Sequence, residues 1–306
     1  MRLRILSAAS ALAVAALVLA PNPAAACSMC RCSDPVFSAL GEGLYSYGGF
    51  QLALDWNRLN QSEGAAGGPD FEAQIRNTLT ATIAYGWQER LTVVAQIPYT
   101  FNHLTTADGV ETADAVGDPS FFLSVRLWSS NFTQGLGRRA WISALVAVKT
   151  PWGNNDVTEN GERLDEHVQP GTGATNLTGG INGLYLLGAE SSIYASVAYT
   201  GTGRNSFGYK YGNNVQANVV YDRKIADWLD GLLEVNFLDA QHDQVNDAGE
   251  IDPNTGGQSL YLTPRIGVHV VKGLVLRAAA QFPVWKHLNG IQDINPAYTA
   301  GLTYVF

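Results

Sequence analysis

Charge is scarce in this chain. Asp, Glu, Lys and Arg make up only 15% of its 306 residues, against roughly a quarter in an ordinary soluble domain. Hydrophobic residues make up 46%, so the low charge does not signal disorder, which needs few apolar groups and much net charge. Basic residues are the scarcer sign: 19 Lys and Arg face 27 Asp and Glu, for a formal net charge of −8. No basic stripe is present to neutralise phosphates, which argues against a nucleic-acid partner. Long apolar runs are missing too. After residue 26 no segment reaches the roughly 18–20 residues that a spanning helix needs. There is no G-x-S-x-G nucleophile turn, and Arg31, not His, follows the one C-x-x-C pair, which disfavours covalent haem attachment.

The N-terminus reads as a leader. Arg2 and Arg4 precede an apolar run over residues 5–20, Pro21 and Pro23 break it, and Ala24, Ala25 and Ala26 supply small residues for cleavage before Cys27. The mature chain is therefore expected to be exported. Lacking a spanning helix, it is either soluble or built from strands.

Periodicity favours strands. Tyr298, Ala300, Leu302, Tyr304 and Phe306 share one face, opposite Ala297, Thr299, Gly301, Thr303 and Val305. The same alternation places Leu79, Ala81, Ile83 and Tyr85 opposite Arg76, Thr78, Thr80 and Thr82. Twelve such runs occur, at about 47–57, 73–86, 90–101, 118–129, 139–150, 173–187, 191–202, 212–223, 231–242, 258–271, 273–284 and 295–306. Short connections alternate with mostly longer ones rich in Gly, Asn and Asp, the asymmetry of an outer-membrane barrel. The expected fold is all-β: a single 12-stranded, antiparallel, up-and-down transmembrane barrel over residues 47–306, after a leader (1–26) and a cysteine-bearing periplasmic segment (27–46).

Alternation alone also fits a soluble barrel, but three features favour the membrane. The runs are long enough to cross a bilayer with tilt. Tyr85, Trp87, Tyr99, Trp128, Tyr199, Tyr221 and Trp285 lie near run ends, where aromatic girdles form. The polar face carries Thr, Asn, Gln, Ser and Gly with few charges, which suits a lumen better than a soluble surface. The run ending on Phe306 resembles the signal read by the barrel assembly machinery. The expected surroundings are lipid and lipopolysaccharide of the outer membrane.

Four segments carry a family resemblance: Gly86-Trp87-Gln88-Glu89-Arg90-Leu91 running into Ile97-Pro98-Tyr99; Gly117-Asp118-Pro119 before Phe121–Leu127; Val148-Lys149-Thr150-Pro151-Trp152-Gly153; and Gly171-Thr172-Gly173 before Leu177. In this order they resemble the Gram-negative outer-membrane barrel family named after the meta-pathway of phenol degradation, whose members are often described as transporters. The resemblance covers roughly Tyr47 to Phe306. It implies passage of small, in some cases aromatic, molecules across the outer membrane, and it transfers no binding residues.

Candidate site residues fall into three groups. Cys27, Cys30 and Cys32, with Met29 between them, are compatible with a disulfide in an oxidising compartment, with a soft metal such as copper or zinc, or with lipidation of Cys27. Asp55, Arg76, Arg126, Lys149, Asp222, Glu234, Arg265 and Arg277, with His269 and Gln281 nearby, are expected to line the lumen. Five cations against three anions would favour anionic or polar-aromatic solutes; the competing reading is an ion-pair network that fills the barrel. The loops hold His103, His167, His242 and His287, and an acidic stretch with Asp239, Asp243, Asp247, Glu250 and Asp252. It lacks EF-hand spacing and is expected to be solvated. The composite expectation is a non-enzymatic channel or transporter for small solutes. The alternatives are a structural or soft-metal-handling component acting through the cysteines, and an outer-membrane hydrolase.

Overall fold

The computed structural model describes residues 49–68, 71–87, 90–130 and 140–306. The expected leader and the segment with Cys27, Cys30 and Cys32 lie outside the described residues. The strands are β1 (Gly49–Glu63), β2 (Glu72–Trp87), β3 (Leu91–Thr106), β4 (Val110–Val116), β5 (Ser120–Ser129), β6 (Ala140–Lys149), β7 (Thr158–Glu159), β8 (Glu162–Arg163), β9 (Asn176–Leu186), β10 (Ser191–Thr202), β11 (Asn214–Ala226), β12 (Leu229–Ala240), β13 (Gly257–Val271), β14 (Leu274–Leu288), β15 (Gln292–Ile294) and β16 (Ala297–Val305).

β4 and β5 both pair with β3 and form one interrupted strand, as β15 and β16 do against β1. With β7 and β8 set aside as a separate loop hairpin, the wall has twelve antiparallel positions. It closes on β1, which pairs with β2 from Gly49↔Gly86 to Glu63↔Glu72 and with β16 from Gln51↔Val305 to Arg58↔Tyr298. Closure leaves no long edge to seek a partner.

Alternation sets the two faces. On β1, Phe50, Leu52, Leu54 and Trp56 are exposed on the outside, while Ala53, Leu59, Gln61 and Glu63 are buried inside. On β10, Ile193, Val197 and Tyr199 face out, and Tyr194, Ser196, Ala198 and Thr200 face in. The inside is therefore mixed, with many buried Thr, Ser, Asn and Gln, and the outside is an apolar belt. At the rim with short turns the belt ends in Tyr85, Trp87, Trp128 and Tyr221; at the rim with long loops it ends in Tyr99, Tyr199 and Trp285, all exposed. Such a belt, wrapped around a closed barrel, requires a hydrocarbon environment.

The strands outrun the sequence expectation at the loop rim. Alternation suggests that the first run stops near residue 57 and that a long loop spans 102–117. Instead β1 continues to Glu63, β3 to Thr106, and β4 begins at Val110. The reason is that Arg58, Asn60 and Ser62 are polar on the outer face, because that height faces water, so hydrophobic alternation vanishes while the backbone ladder continues. At Gly117-Asp118-Pro119 the fourth wall strand breaks, since Pro119 has no N–H to donate and Asp118 turns inward, 4% exposed.

Val197 lies mid-belt, paired with Ile181 and Ala217. Val197→Arg is expected to destabilise the refolded barrel by about 2–4 kcal/mol, and Val197→Leu by far less. Urea titration in lipid vesicles, followed by tryptophan fluorescence, checks this; equal effects would mean that water covers the belt.

Candidate functional site

The inner wall is a hydrogen-bonding surface. Asn218 Nδ2 donates to Ser196 Oγ at 3.2 Å, Asn236 Nδ2 to Asn218 Oδ1 at 2.8 Å, and Thr263 Oγ1 and Gln281 Nε2 to Asn236 Oδ1 at 2.9 and 3.4 Å. This ladder crosses five neighbouring strands, β10 to β14. Other buried inward atoms find no protein partner: Asn57 Oδ1, Gln96 Oε1, Ser120 Oγ, Asn214 Nδ2, Gln216 Oε1, Ser259 Oγ and Thr303 Oγ1. Buried polar atoms are rarely left bare, and atoms as enclosed as these are the kind that small internal waters satisfy.

The charged residues expected at the lumen stand on the inward faces of their strands, mostly engaged with near neighbours. Arg277 Nη2 donates to both Asp55 oxygens at 2.7 and 2.9 Å. The pair spans β16, where Gly301 is in register with both residues. A Cβ on Gly301 would lie 1.9 Å from Asp55 Oδ1, so the glycine leaves the space the pair occupies. Arg265 Nη2 meets Glu234 Oε2 at 3.0 Å. Lys149 Nζ donates to Thr172 Oγ1 at 2.9 Å and lies 3.8 Å from Asp118 Oδ2. Arg76 bonds to the neutral oxygens of Asn102 and His167 at 2.9 and 3.0 Å. The Arg126 guanidinium lies over the Trp141 ring at 4.8 Å, and Asp222 Oδ1 is buried without a hydrogen bond. His269 sits at the turn rim, ion-paired with Asp230. Among the described residues these contacts join nearby strands.

The loop of residues 150–175, between β6 and β9, folds into the mouth. Its β7–β8 hairpin turns on Asn160 (φ 52°) and Gly161 (φ 88°), the Asn-Gly pair that suits a tight hairpin. Leu164 and Val168 then pack against Leu104 and Ala113 of β3 and β4. Inward side chains of the wall hold the following carbonyls: Asn102 Nδ2 donates to Val168 O at 2.7 Å, and Arg76 Nη2 and Gln74 Nε2 both donate to His167 O. Asp118 anchors both ends of the loop, accepting from Gly153 N at 3.0 Å and from Thr172 N and Oγ1 at 2.7 Å each.

His167 is thereby delivered to a carboxylate cluster. Its Nδ1 lies 2.9 Å from Glu72 Oε2, 3.3 Å from Asp165 Oδ1 and 3.7 Å from Glu63 Oε1. Its Nε2 meets Tyr209 Oη at 3.1 Å, and Tyr209 donates to Asp243 Oδ2 at 2.9 Å. Burial works against a charged imidazole, but Tyr209, Glu63, Asp165 and Glu72 reverse that and hold His167 well above its ordinary range. Burial pushes the Tyr209 phenol well up as well, so it remains a neutral donor.

Sequence reasoning missed this assembly. Glu63 and Glu72 belong to strand extensions without alternation, and His167 reads as one loop histidine among several. Asp243, expected to be solvated with its acidic neighbours, is 4% exposed and accepts from Gly212 N at 2.6 Å as well as from Tyr209. Asp118 lies inside a quoted segment, Gly117-Asp118-Pro119, and was the one legible signal.

No protein-family model matches the chain, and no curated protein matches it either. Solved structures do. An outer membrane channel from Pseudomonas putida F1 superposes with a TM-score of 0.67 at 13% identity, covering 86% of this chain and 98% of that one. The translocator domain of the autotransporter NalP from Neisseria meningitidis gives a TM-score of 0.51 at 11% identity, covering 90% and 95%. The fold is thus that of outer-membrane barrels.

Two substitutions test the geometry. Gly301→Val is expected to break the Asp55–Arg277 pair and cost roughly 1–3 kcal/mol in urea unfolding, less than a dry broken pair because lumen water screens it; adding Asp55→Asn should cost little more. Asp118→Ala removes charge-assisted bonds worth about 1.5–3 kcal/mol each. Trypsin should then cut after Arg163 at least about tenfold faster, as an opening that much easier implies; an unchanged rate would show that the loop is held elsewhere.

Proposed function

We propose that this chain is a passive channel for small polar solutes, seated in the outer membrane of a Gram-negative cell. The observation that carries the reading is the closed wall of twelve antiparallel positions, apolar on its outer face and rich in Thr, Ser, Asn and Gln on its inner face. An inner face of this composition suits a polar path, while the belt fixes the barrel in lipid. The fold shared with a channel of known structure supports this.

The expected preference for anionic or aromatic solutes weakens on this reading. Arg277 and Arg265 are matched by Asp55 and Glu234, and Lys149 lies near Asp118, so three of the five cations stand beside a carboxylate. Selection would rest on size and hydrogen bonding at the loop-narrowed mouth. Lipopolysaccharide around the loop rim and assembly-machinery recognition of Phe306 belong to the same proposal.

Cysteine scanning tests it. In a chain with Cys27, Cys30 and Cys32 replaced by serine, Ser196→Cys faces the lumen and Val197→Cys the belt. Planar-bilayer recordings should show stepwise conductance in both, and a charged thiol reagent should lower the current only through Ser196→Cys. A silent bilayer, or equal modification of the two, would overturn the channel reading.

A further inference from the structure

The cluster at the mouth has the composition of a metal site. Glu63 Oε1, Glu72 Oε2 and His167 Nδ1 lie within 4.8 Å of one another. Donors around one tetrahedral ion with bonds near 2.1 Å stand about 3.4 Å apart, so adjustments of the order of an ångström would close the set. The three donors come from β1, β2 and the inserted loop, and Asp165 adds a further carboxylate 3.3 Å from Nδ1.

An independent observation points to a missing ligand. Gln61, 7% exposed, lines the same small cavity as Glu63, Glu72 and His167. Its amide orientation is fixed by a chain of donors: Gln74 Nε2 gives its hydrogen to His167 O, so Gln74 Oε1 must accept, and Gln61 Nε2 donates to it at 2.6 Å. That leaves Gln61 Oε1 buried with no hydrogen-bond partner. A bare carbonyl oxygen on a residue that lines one cavity with two carboxylates gains a partner if a cation enters that cavity. On the far side of the imidazole, the Nε2–Tyr209–Asp243 chain is the outer hydrogen bonding that metal-binding histidines use to fix their ring.

We propose that Glu63, Glu72 and His167, with Gln61 Oε1 as an additional oxygen donor, bind one divalent transition ion of the Zn²⁺ class. The imidazole nitrogen distinguishes this set from the all-oxygen shells that Ca²⁺ and Mg²⁺ prefer. A bound ion would tie the inserted loop to β1 and β2, bracing the mouth. The site does not depend on the channel reading.

The test is calorimetry with Zn²⁺ on the refolded, chelator-stripped barrel carrying serine at positions 27, 30 and 32, so that thiols do not compete. One Zn²⁺ per barrel is expected. Glu72→Gln and His167→Ala should each weaken binding at least tenfold, with folding verified by the heat-dependent gel shift of barrels. Co²⁺ in place of Zn²⁺ should give visible absorption that His167→Ala abolishes, and Zn²⁺ should slow trypsin cleavage after Arg163. No binding by the folded parent barrel, binding unchanged in His167→Ala, or Ca²⁺ displacing Zn²⁺ at equal concentration would each overturn the proposal. Conductance is read separately: a barrel that binds Zn²⁺ but passes no current sinks the channel alone, and one that conducts but ignores Zn²⁺ sinks the metal site alone.

Discussion

The constraint on which this structure depends is the backbone hydrogen bond in a medium that cannot supply one. Within hydrocarbon an unpaired N–H or C=O has no water to turn to, so a spanning sheet must close on itself. β1 meets that demand by pairing along its length with β2 and with β16 and β15. The two wall strands that are split into separate segments are split at the loop rim; smaller register shifts also occur at the turn rim, between Arg126 and Trp128 and between Lys224 and Ala226. The breaks around Pro119 and Pro296 lie level with or beyond the aromatic girdle, and nearby backbone is re-paired, Asn154 N to Val116 O at 2.9 Å and Asn295 N to Asn60 O at 3.2 Å.

Closure also dictates where polar side chains go. With lipid outside, Thr, Ser, Asn and Gln must turn inward, and the interior becomes a surface on which a polar loop can dock. The segment from Leu164 to Gln169 uses it in two ways, burying Leu164 and Val168 against Leu104 and presenting its carbonyls to Gln74, Arg76 and Asn102. The loop is thus held by the same groups that would otherwise face the lumen. Gly153 crosses close over this region, where a Cβ would come within 2.3 Å of the Gly117 backbone, so the crossing needs a residue without a side chain.

How much of this was legible in the sequence follows from the same physics. The wall strands, their inward and outward faces and the girdle residues were readable because lipid on one side and polar groups on the other write a two-residue period into the chain. The ten lumen candidates share the inward parity for that reason. Legibility ends where the lipid ends. Beyond Trp56 both faces of β1 meet water or loop, so Asn60, Ser62 and Glu63 carry no alternation although they sit in a ladder. The His167 cluster lies in that zone, assembled from positions about 100 residues apart by the packing of an irregular loop, and no local spacing reports it. Nor could parity show which charges would pair: Arg277 and Asp55 are two strands apart, and only the register through Gly301 brings them together.

That pairing bears on what a channel with this wall would discriminate. A charge on a low-dielectric barrel wall acts strongly on a passing ion unless a counter-charge sits within a few ångströms, when the two look from mid-lumen like a weak dipole. Asp55–Arg277 and Glu234–Arg265 meet that condition at 2.7 and 3.0 Å. The excess of cations counted along the sequence is therefore a poor guide to the field inside, because charges enter the field by position and not by number. What the wall keeps in quantity is amide and hydroxyl, groups that exchange one hydrogen-bond partner for another at little net cost. A solute able to replace water at those positions loses little on entering and little on leaving, and that balance is the physical requirement for passage in place of capture.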